Sequence, residues 1–171
     1  MIGAGGVGLA CIGLARAILP AKIIVSDVTS GKREAALAGG AHAAVDGSTP
    51  EGRSQIRDLA GGRPPLAAID FVGSPETLRL ALDSVDVGGT VVAIGLFGGE
   101  VSISTALLPL RQVTLRGSYV GSLAELRELV GIMQERDVRT VPVVTRPMSE
   151  VNAILADLEA GRIVGRSVMA P

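Results

Sequence analysis

Tryptophan is absent, one tyrosine and two phenylalanines make up the aromatic complement, and the 171 residues hold a single cysteine and a single histidine. Each shortage excludes something. With so few aromatics the core must be built from Ala, Val, Leu and Ile, and there is no platform on which nucleic-acid bases could stack. Basic and acidic residues nearly cancel, 16 against 17 for a net charge of -1, and no basic stripe is visible, so no nucleic-acid partner is expected. The lone Cys11 cannot close an internal disulfide, which fits a reducing, cytoplasmic setting. One Cys and one His cannot supply tetrahedral zinc, so no metal site is expected in this chain. Cys11 reads as a small core residue and His42 as a solvated turn residue. No basic region opens the chain, and the apolar run from Met1 to Leu19 is too broken by glycine to read as a membrane span.

Apolar residues are plentiful at 47% of the chain, enough for one domain with a sizeable core. Short apolar, β-branched runs alternate with amphipathic segments, the signature of βαβ units. The runs Ile23–Val25, Ala43–Val45, Ala67–Val72 and Thr90–Ile94 read as parallel strands. Val113–Val120 alternates more and reads as an edge strand. Gly6–Leu19 is apolar nearly all round, which predicts a helix covered on two sides. Thr49-Pro50-Glu51 and Ser74-Pro75-Glu76 are helix starts: a capping hydroxyl, a first-turn proline and an acid at the positive end of the dipole. Leu78, Ala81, Leu82 and Val85 give one helical stripe. Leu123, Leu126, Val130 and Met133 give a second, and Val151, Ile154, Leu155 and Leu158 a third, closed by Gly161. Thr140–Pro147 reads as a connection leaving the core sheet. The expected fold is α/β, a doubly wound, Rossmann-type parallel sheet. Residues 1–140 would form a dinucleotide-binding domain and 141–171 a strand-helix-strand tail.

Gly3-Ala4-Gly5-Gly6-Val7-Gly8 fits G-x-G-x-x-G and opens a helix. Gly3 permits the tight turn, Gly5 lets the backbone approach a pyrophosphate, and Gly8 lets the helix pack close. The helix N-terminus, with Gly6 and Val7, offers free N–H groups to the phosphates. A plain glycine-rich turn is the alternative reading. Asp27 follows Gly8 by 19 residues at the end of a strand, where a carboxylate can accept from ribose hydroxyls and repel a 2′-phosphate, favouring NAD over NADP. The alternative reading is an acidic cap for the next helix. Only Met1 and Ile2 precede the glycines, so the first strand is nearly absent: either the chain is a truncated piece or something else replaces that strand.

Taken together, Ile2–Leu9, Val25-Ser26-Asp27, Gly40–Asp46, Ile69–Gly73, Gly88–Gly95 and Leu158–Arg166 resemble, in order and spacing, the zinc-type medium-chain alcohol dehydrogenases. The resemblance covers essentially the whole chain. It implies that Asp27 holds the adenosine ribose with Lys32 beside it and that Val28 and Val72 flank the adenine. It also implies that backbone around Ile94, Leu96 and Val120 meets the nicotinamide, and that Arg166 reaches the pyrophosphate. Catalytic zinc and its ligands would lie on a domain outside this chain, toward which the 141–171 tail would pack, so no catalytic residue is expected here. The resemblance points to a homodimer through the strand 113–120. Two alternatives stay open: an NADPH-dependent quinone or enoyl reductase of the same superfamily, or a non-catalytic nucleotide-binding fragment. A short-chain dehydrogenase is excluded, because the fourth residue after Tyr119 is Leu123 and not the Lys that its Tyr-x-x-x-Lys pair requires.

Overall fold

The computed structural model describes residues 1–171. Its elements alternate as the spacing predicts: α1 (Gly6–Ile18), β1 (Ile24–Ser26), α2 (Ser30–Ala38), β2 (Ala43–Val45), α3 (Pro50–Leu59), β3 (Ala67–Asp70), α4 (Pro75–Ser84), β4 (Thr90–Ala93), a short α5 (Leu107–Arg111), β5 (Thr114–Gly117), α6 (Leu123–Glu135), β6 (Val143–Pro147), α7 (Val151–Glu159) and β7 (Arg166–Ala170). Local chemistry explains the starts. The Thr49 side chain accepts from the Gly52 amide at the head of α3. Ser74 forms a reciprocal box with Thr77 at α4, and Ser122 does the same with Glu125 at α6. Gly161, at φ +69°, takes the left-handed turn that ends α7.

All strand pairs are parallel: β1 with β2, β3 with β4, β4 with β5, and β6 with β7 in a separate two-stranded sheet. Met1 and Ile2 join the first two groups. The Ile2 amide donates to Ile69 O and Ile2 O accepts from Phe71, while Ser26 donates to Met1 O and Gly3 to Ser26 O. The order across the sheet is therefore β2, β1, Met1–Ile2, β3, β4, β5. The expected first strand is present as two residues only. Beneath it, between β1 and β3, lies an apolar cavity of about 300 Å³ lined by Ile2, Ile24, Ala67 and Ile69 among others.

Two apolar clusters cover the two faces. One joins Leu9, Ile12 and Ala15 of α1 and Ala36 of α2 to Ile23 and Val25. The other joins Ile56 of α3 and Leu80, Ala81 and Leu82 of α4 to Val45, Ala68 and Val91. This is the doubly wound arrangement.

Several expectations need correction. α1 is covered by the sheet and α2 along Leu9, Ile12 and Ala15 and by Arg139 and Arg166 at Gly13 and Gly6, but its remaining face is open: Val7 and Ala10 are exposed and Cys11 is half-buried, so the cysteine is only partly a core residue. An all-round apolar pattern cannot tell which side a neighbour takes. The strands expected at 67–72, 90–94 and 113–120 end earlier, at Asp70, Ala93 and Gly117. β-branched and apolar character continues past the last ladder bond because these residues line turns beyond the sheet edge. The stripe Leu123, Leu126, Val130, Met133 faces outward, as do Leu155 and Leu158; only Ile154 of the third stripe is buried. Thr140–Pro147 is not a bare connection, since Val143–Pro147 forms β6 in register with Arg166–Ala170. His42 is exposed but engaged: its Nδ1 accepts from the Ile23 amide at 2.9 Å, bracing the β1–β2 pair.

Candidate functional site

The sheet order reverses at Met1–Ile2, with β1 on one side and β3 on the other. At such a switch point the loops leaving the strand ends diverge and open a crevice. The residues that fill this crevice come from four loops and the start of β7.

The first is the turn Gly3–Gly8. Gly3 has φ +89°, and a Cβ there would sit 2.7 Å from Val72 Cγ2, so neither the conformation nor the space admits a side chain. Nothing lies within 4 Å of a Cβ built on Gly5, which faces open space at the head of α1. A Cβ on Gly8 would overlap the Gly3 carbonyl, so the helix and its own entry turn pack backbone to backbone. No side chain caps α1, leaving its first amides free toward the crevice. This is a geometry that suits an anion.

The second loop follows β1. The Asp27 carboxylate accepts from the Ala4 amide at 2.8 Å and from the Thr29 amide at 2.9 Å. One oxygen thus ties the glycine turn to β1, and the other shapes the entry to α2. Asp27 does not cap α2, whose N-cap is Thr29 with no side-chain cap bond, and its carboxylate has lone pairs beyond the two in use. Arg33, which sequence reasoning passed over, donates to the Asp27 carbonyl at 2.8 Å and lies 3.7 Å from Asp46. The Asp46 carboxyl is held below the ordinary carboxylate range, first by the Ser48 hydroxyl and also by Arg33. Val28 is exposed beside Asp27. Lys32 is half-buried, its ammonium 3.8 Å from where a Cβ on Gly161 would lie, so it reaches toward the end of α7.

The third and fourth loops follow β3 and β4 and meet each other. Gly73, at φ +76°, and Gly95 approach so closely that a Cβ on either would overlap the other loop's backbone. Phe97 and Gly98 donate to the carbonyls of Val72 and Gly73. Val72 therefore sits against Gly3 on one side and the β4 loop on the other. Ile94 is half-buried and Leu96 exposed at the same rim. Asp70, missed in the sequence, organises this rim: fully buried, it accepts from the Val72 amide (2.9 Å), the Gly73 amide (3.1 Å) and the Thr77 hydroxyl (2.9 Å). The signal was available, because an acid closing an apolar strand must find donors.

Val120 lies past β5, exposed, with φ +45°. That conformation is an outlier for a β-branched residue, and such strain gathers at functional loops. Arg166, the first residue of β7, covers the opposite wall: a Cβ on Gly6 would collide with its guanidinium. The fold thus places Gly3, Gly5, Gly6, Gly8, Asp27, Val72 and Arg166 around one crevice, with Val7, Val28, Ile94 and Leu96 on its margins, while Val120 lies further out, past the edge strand β5. Lys32 is turned toward α7. No group of three or more His, Cys, Asp or Glu side chains is close enough to hold a metal ion. No helix is long and apolar enough to cross a membrane.

Comparison with known proteins identifies relatives of the whole chain. A family model described as zinc-binding dehydrogenase matches residues 6–135. The chain is 31% identical, over its whole length, to an NAD-dependent alcohol dehydrogenase of Sulfurisphaera tokodaii, of which it covers 50%. It is 29% identical over 98% of its length to an alcohol dehydrogenase of Geobacillus stearothermophilus, covering 48% of that protein. The crystal structure of an alcohol dehydrogenase from the archaeon Aeropyrum pernix superposes with a TM-score of 0.88 at 32% identity, covering 99% of this chain and 48% of that one. The chain thus spans about half the length of the curated relatives it matches.

Proposed function

The chain belongs to the zinc-binding dehydrogenase family, and from that membership we propose that it is the NAD(H)-binding portion of an alcohol dehydrogenase. The observation that carries the reading is the pairing of an uncapped α1 N-terminus, fronted by open space at Gly5, with the Asp27 carboxylate on the Ala4 amide. When bound, the nicotinamide would exchange a hydride with an alcohol or carbonyl substrate, chemistry that belongs to the cofactor. The chain's own residues would bind and orient it. The α1 amides and Arg166 would meet the pyrophosphate. Asp27 would accept from the ribose hydroxyls, with Lys32 and Val28 nearby, and Val72 would lie against the adenosine half. Backbone near Ile94, Leu96 and Val120 would receive the nicotinamide.

The residues suit the dinucleotide but not the metal: Cys11 lies on α1 and His42 in the turn before β2, and neither belongs to a group of three or more ligating side chains. Zinc and the proton-transfer groups would therefore belong to the part of the relatives that this chain does not match. The outward apolar residues of α7 support the 141–171 unit packing toward that part. The bare edge of β5 and the exposed stripe of α6 support a homodimer. The single, half-buried cysteine supports a cytoplasmic setting.

Calorimetric titration tests the reading. The chain should bind NADH more tightly than NADPH, and Asp27→Gly should remove most of that preference by removing like-charge repulsion. Equal binding of both cofactors by the unmodified chain would refute the NAD assignment.

A further inference from the structure

The segment 136–142, which joins α6 to β6, plays no part in the crevice, yet it is pinned across two helices. Arg136 donates to the Ala17 carbonyl at 3.2 Å, and Arg139 donates to the Ala38 carbonyl. These are orphan carbonyls at the C-terminal ends of α1 and α2, where a cation is favoured. Between the two anchors, the Arg139 carbonyl rests directly on Gly13, so that a Cβ on Gly13 would overlap it. Val141 then packs against the α1–α2 cluster. The next carbonyl, that of Pro142, accepts from the Arg166 amide at 2.9 Å and closes on Gly165, where φ is +81°. The Arg166 guanidinium covers Gly6. A continuous run of contacts thus leads from Gly13 through Arg139, Pro142 and Arg166 back to Gly6, about 10 Å away along the same helix.

Glycine inside a helix is unfavourable, because it loses the most backbone freedom on folding. Gly13 has negative φ and no turn to serve, so backbone conformation does not call for it. The close approach of the strap does. We propose that Gly13 is a positioning residue for the dinucleotide site: it sets the height of the Arg139–Pro142 strap on α1, and through it the place of Arg166 over the α1 N-terminus. The inference rests on the reading of that N-terminus as a pyrophosphate cradle. A side chain at position 13 lifts the strap, carries Pro142 outward and draws the guanidinium away from the diphosphate, while the ribose acceptor Asp27 is untouched.

The test measures the affinity of the 171-residue chain for ADP-ribose by calorimetry and for adenosine by NMR titration, before and after Gly13→Ala. Gly13→Ala should weaken ADP-ribose about tenfold, the order expected for one displaced charge-assisted contact, and leave adenosine unchanged. In an Arg166→Gln background the same substitution should cause no further loss. Unchanged ADP-ribose affinity, an equal loss for adenosine, or the full loss persisting without Arg166 would each overturn the proposal. Should Gly13→Ala fail to fold by circular dichroism, Arg139→Met, which releases the strap from Ala38, takes its place with the same expected phosphate-selective loss, and its absence overturns the proposal. The two readings fail differently. An unmodified chain that binds ADP-ribose no better than adenosine refutes the cradle itself. A chain that prefers ADP-ribose, and keeps that preference in Gly13→Ala and Arg139→Met, refutes only the positioning role.

Discussion

Asp70 offers the sharpest test of how the crevice is held. Its carboxylate is fully buried and serves three donors: two backbone amides of the β3–α4 turn and the Thr77 hydroxyl. Asp70→Ala strips the acceptor from all three. Thr77 has a second acceptor in reach, the Ser74 carbonyl at 3.1 Å, so its hydroxyl can turn to it. The Val72 and Gly73 amides have no such recourse within the turn. Two unsatisfied amides at about 1–3 kcal/mol each give an expected loss of about 4 kcal/mol. For a chain of this size that is a fall in melting temperature of about 12 °C. Asp70→Asn keeps an acceptor for both amides and can donate to Thr77, whose hydroxyl then turns to Ser74, so about 1 kcal/mol should be lost. Urea unfolding of the three proteins, with slopes compared to confirm similar transitions, supplies the numbers. An Asp70→Ala loss below about 1 kcal/mol, or an Asp70→Asn loss equal to it, would refute the reasoning.

Three further outcomes are expected. Gly8→Val places a branched side chain against the Gly3 carbonyl and should cost about 2 kcal/mol or more through strain; thermal melting will show it, and an unchanged midpoint would contradict it. Asp157 is held below its ordinary carboxyl value of 3.8, first by Arg146 and then by Arg162. A depressed folded value means the stabilisation is fully present well above that pH and is lost as the pH falls through and below it. Asp157→Asn should therefore flatten the acid limb of a stability profile and leave its pH dependence near neutrality unchanged. In β5, Thr114 and Ser118 donate inward to β4, so by alternation the Leu115 amide points outward from the sheet edge. Leu115→Pro should spare the β4–β5 ladder yet disperse the proposed homodimer in light scattering, and an unaltered mass would argue for another interface.

Much of this architecture was legible in the residues. Strand cores such as Ile23–Val25 and Thr90–Ile94 announce themselves because buried parallel strands are rich in β-branched residues on both faces, while the alanine-rich Ala43–Val45 gives a weaker signal. Ser74-Pro75-Glu76 and Thr49-Pro50-Glu51 mark helix starts because capping is local chemistry. The glycine turn and Asp27 were legible for the same reason: steric demand and spacing are properties of a short stretch. What stayed hidden depends on partners distant in the chain. Asp70 is the exception, because its donors lie only two, three and seven residues on and an acid closing an apolar strand must find some. Periodicity gave the stripe of Leu123, Leu126, Val130 and Met133 but not its direction, and the fold turns it to solvent. Strand ends were overestimated at Val72, Ile94 and Val120 because apolar residues continue past the ladder, at Val72 and Ile94 into loops that pack on each other and at Val120 into an exposed turn. The strap from Arg136 to Pro142 carried no local signal, since its anchors are carbonyls 101 and 119 residues away in sequence.

An amide-resolved NMR titration with NADH tests whether a dinucleotide lies across the switch point between β1 and β3. The largest shift changes should fall on the amides of Gly5, Gly6 and Val7, on Asp27 and Val28, on Val72 and on the Arg166 side chain. Lesser changes should appear near Ile94, Leu96 and Val120, and the apolar cavity lined by Ile24 and Ala67 at the far end of the sheet should stay silent. Saturable shifts confined to that cavity, or no shifts at the glycine turn while NADH binds, would contradict that placement.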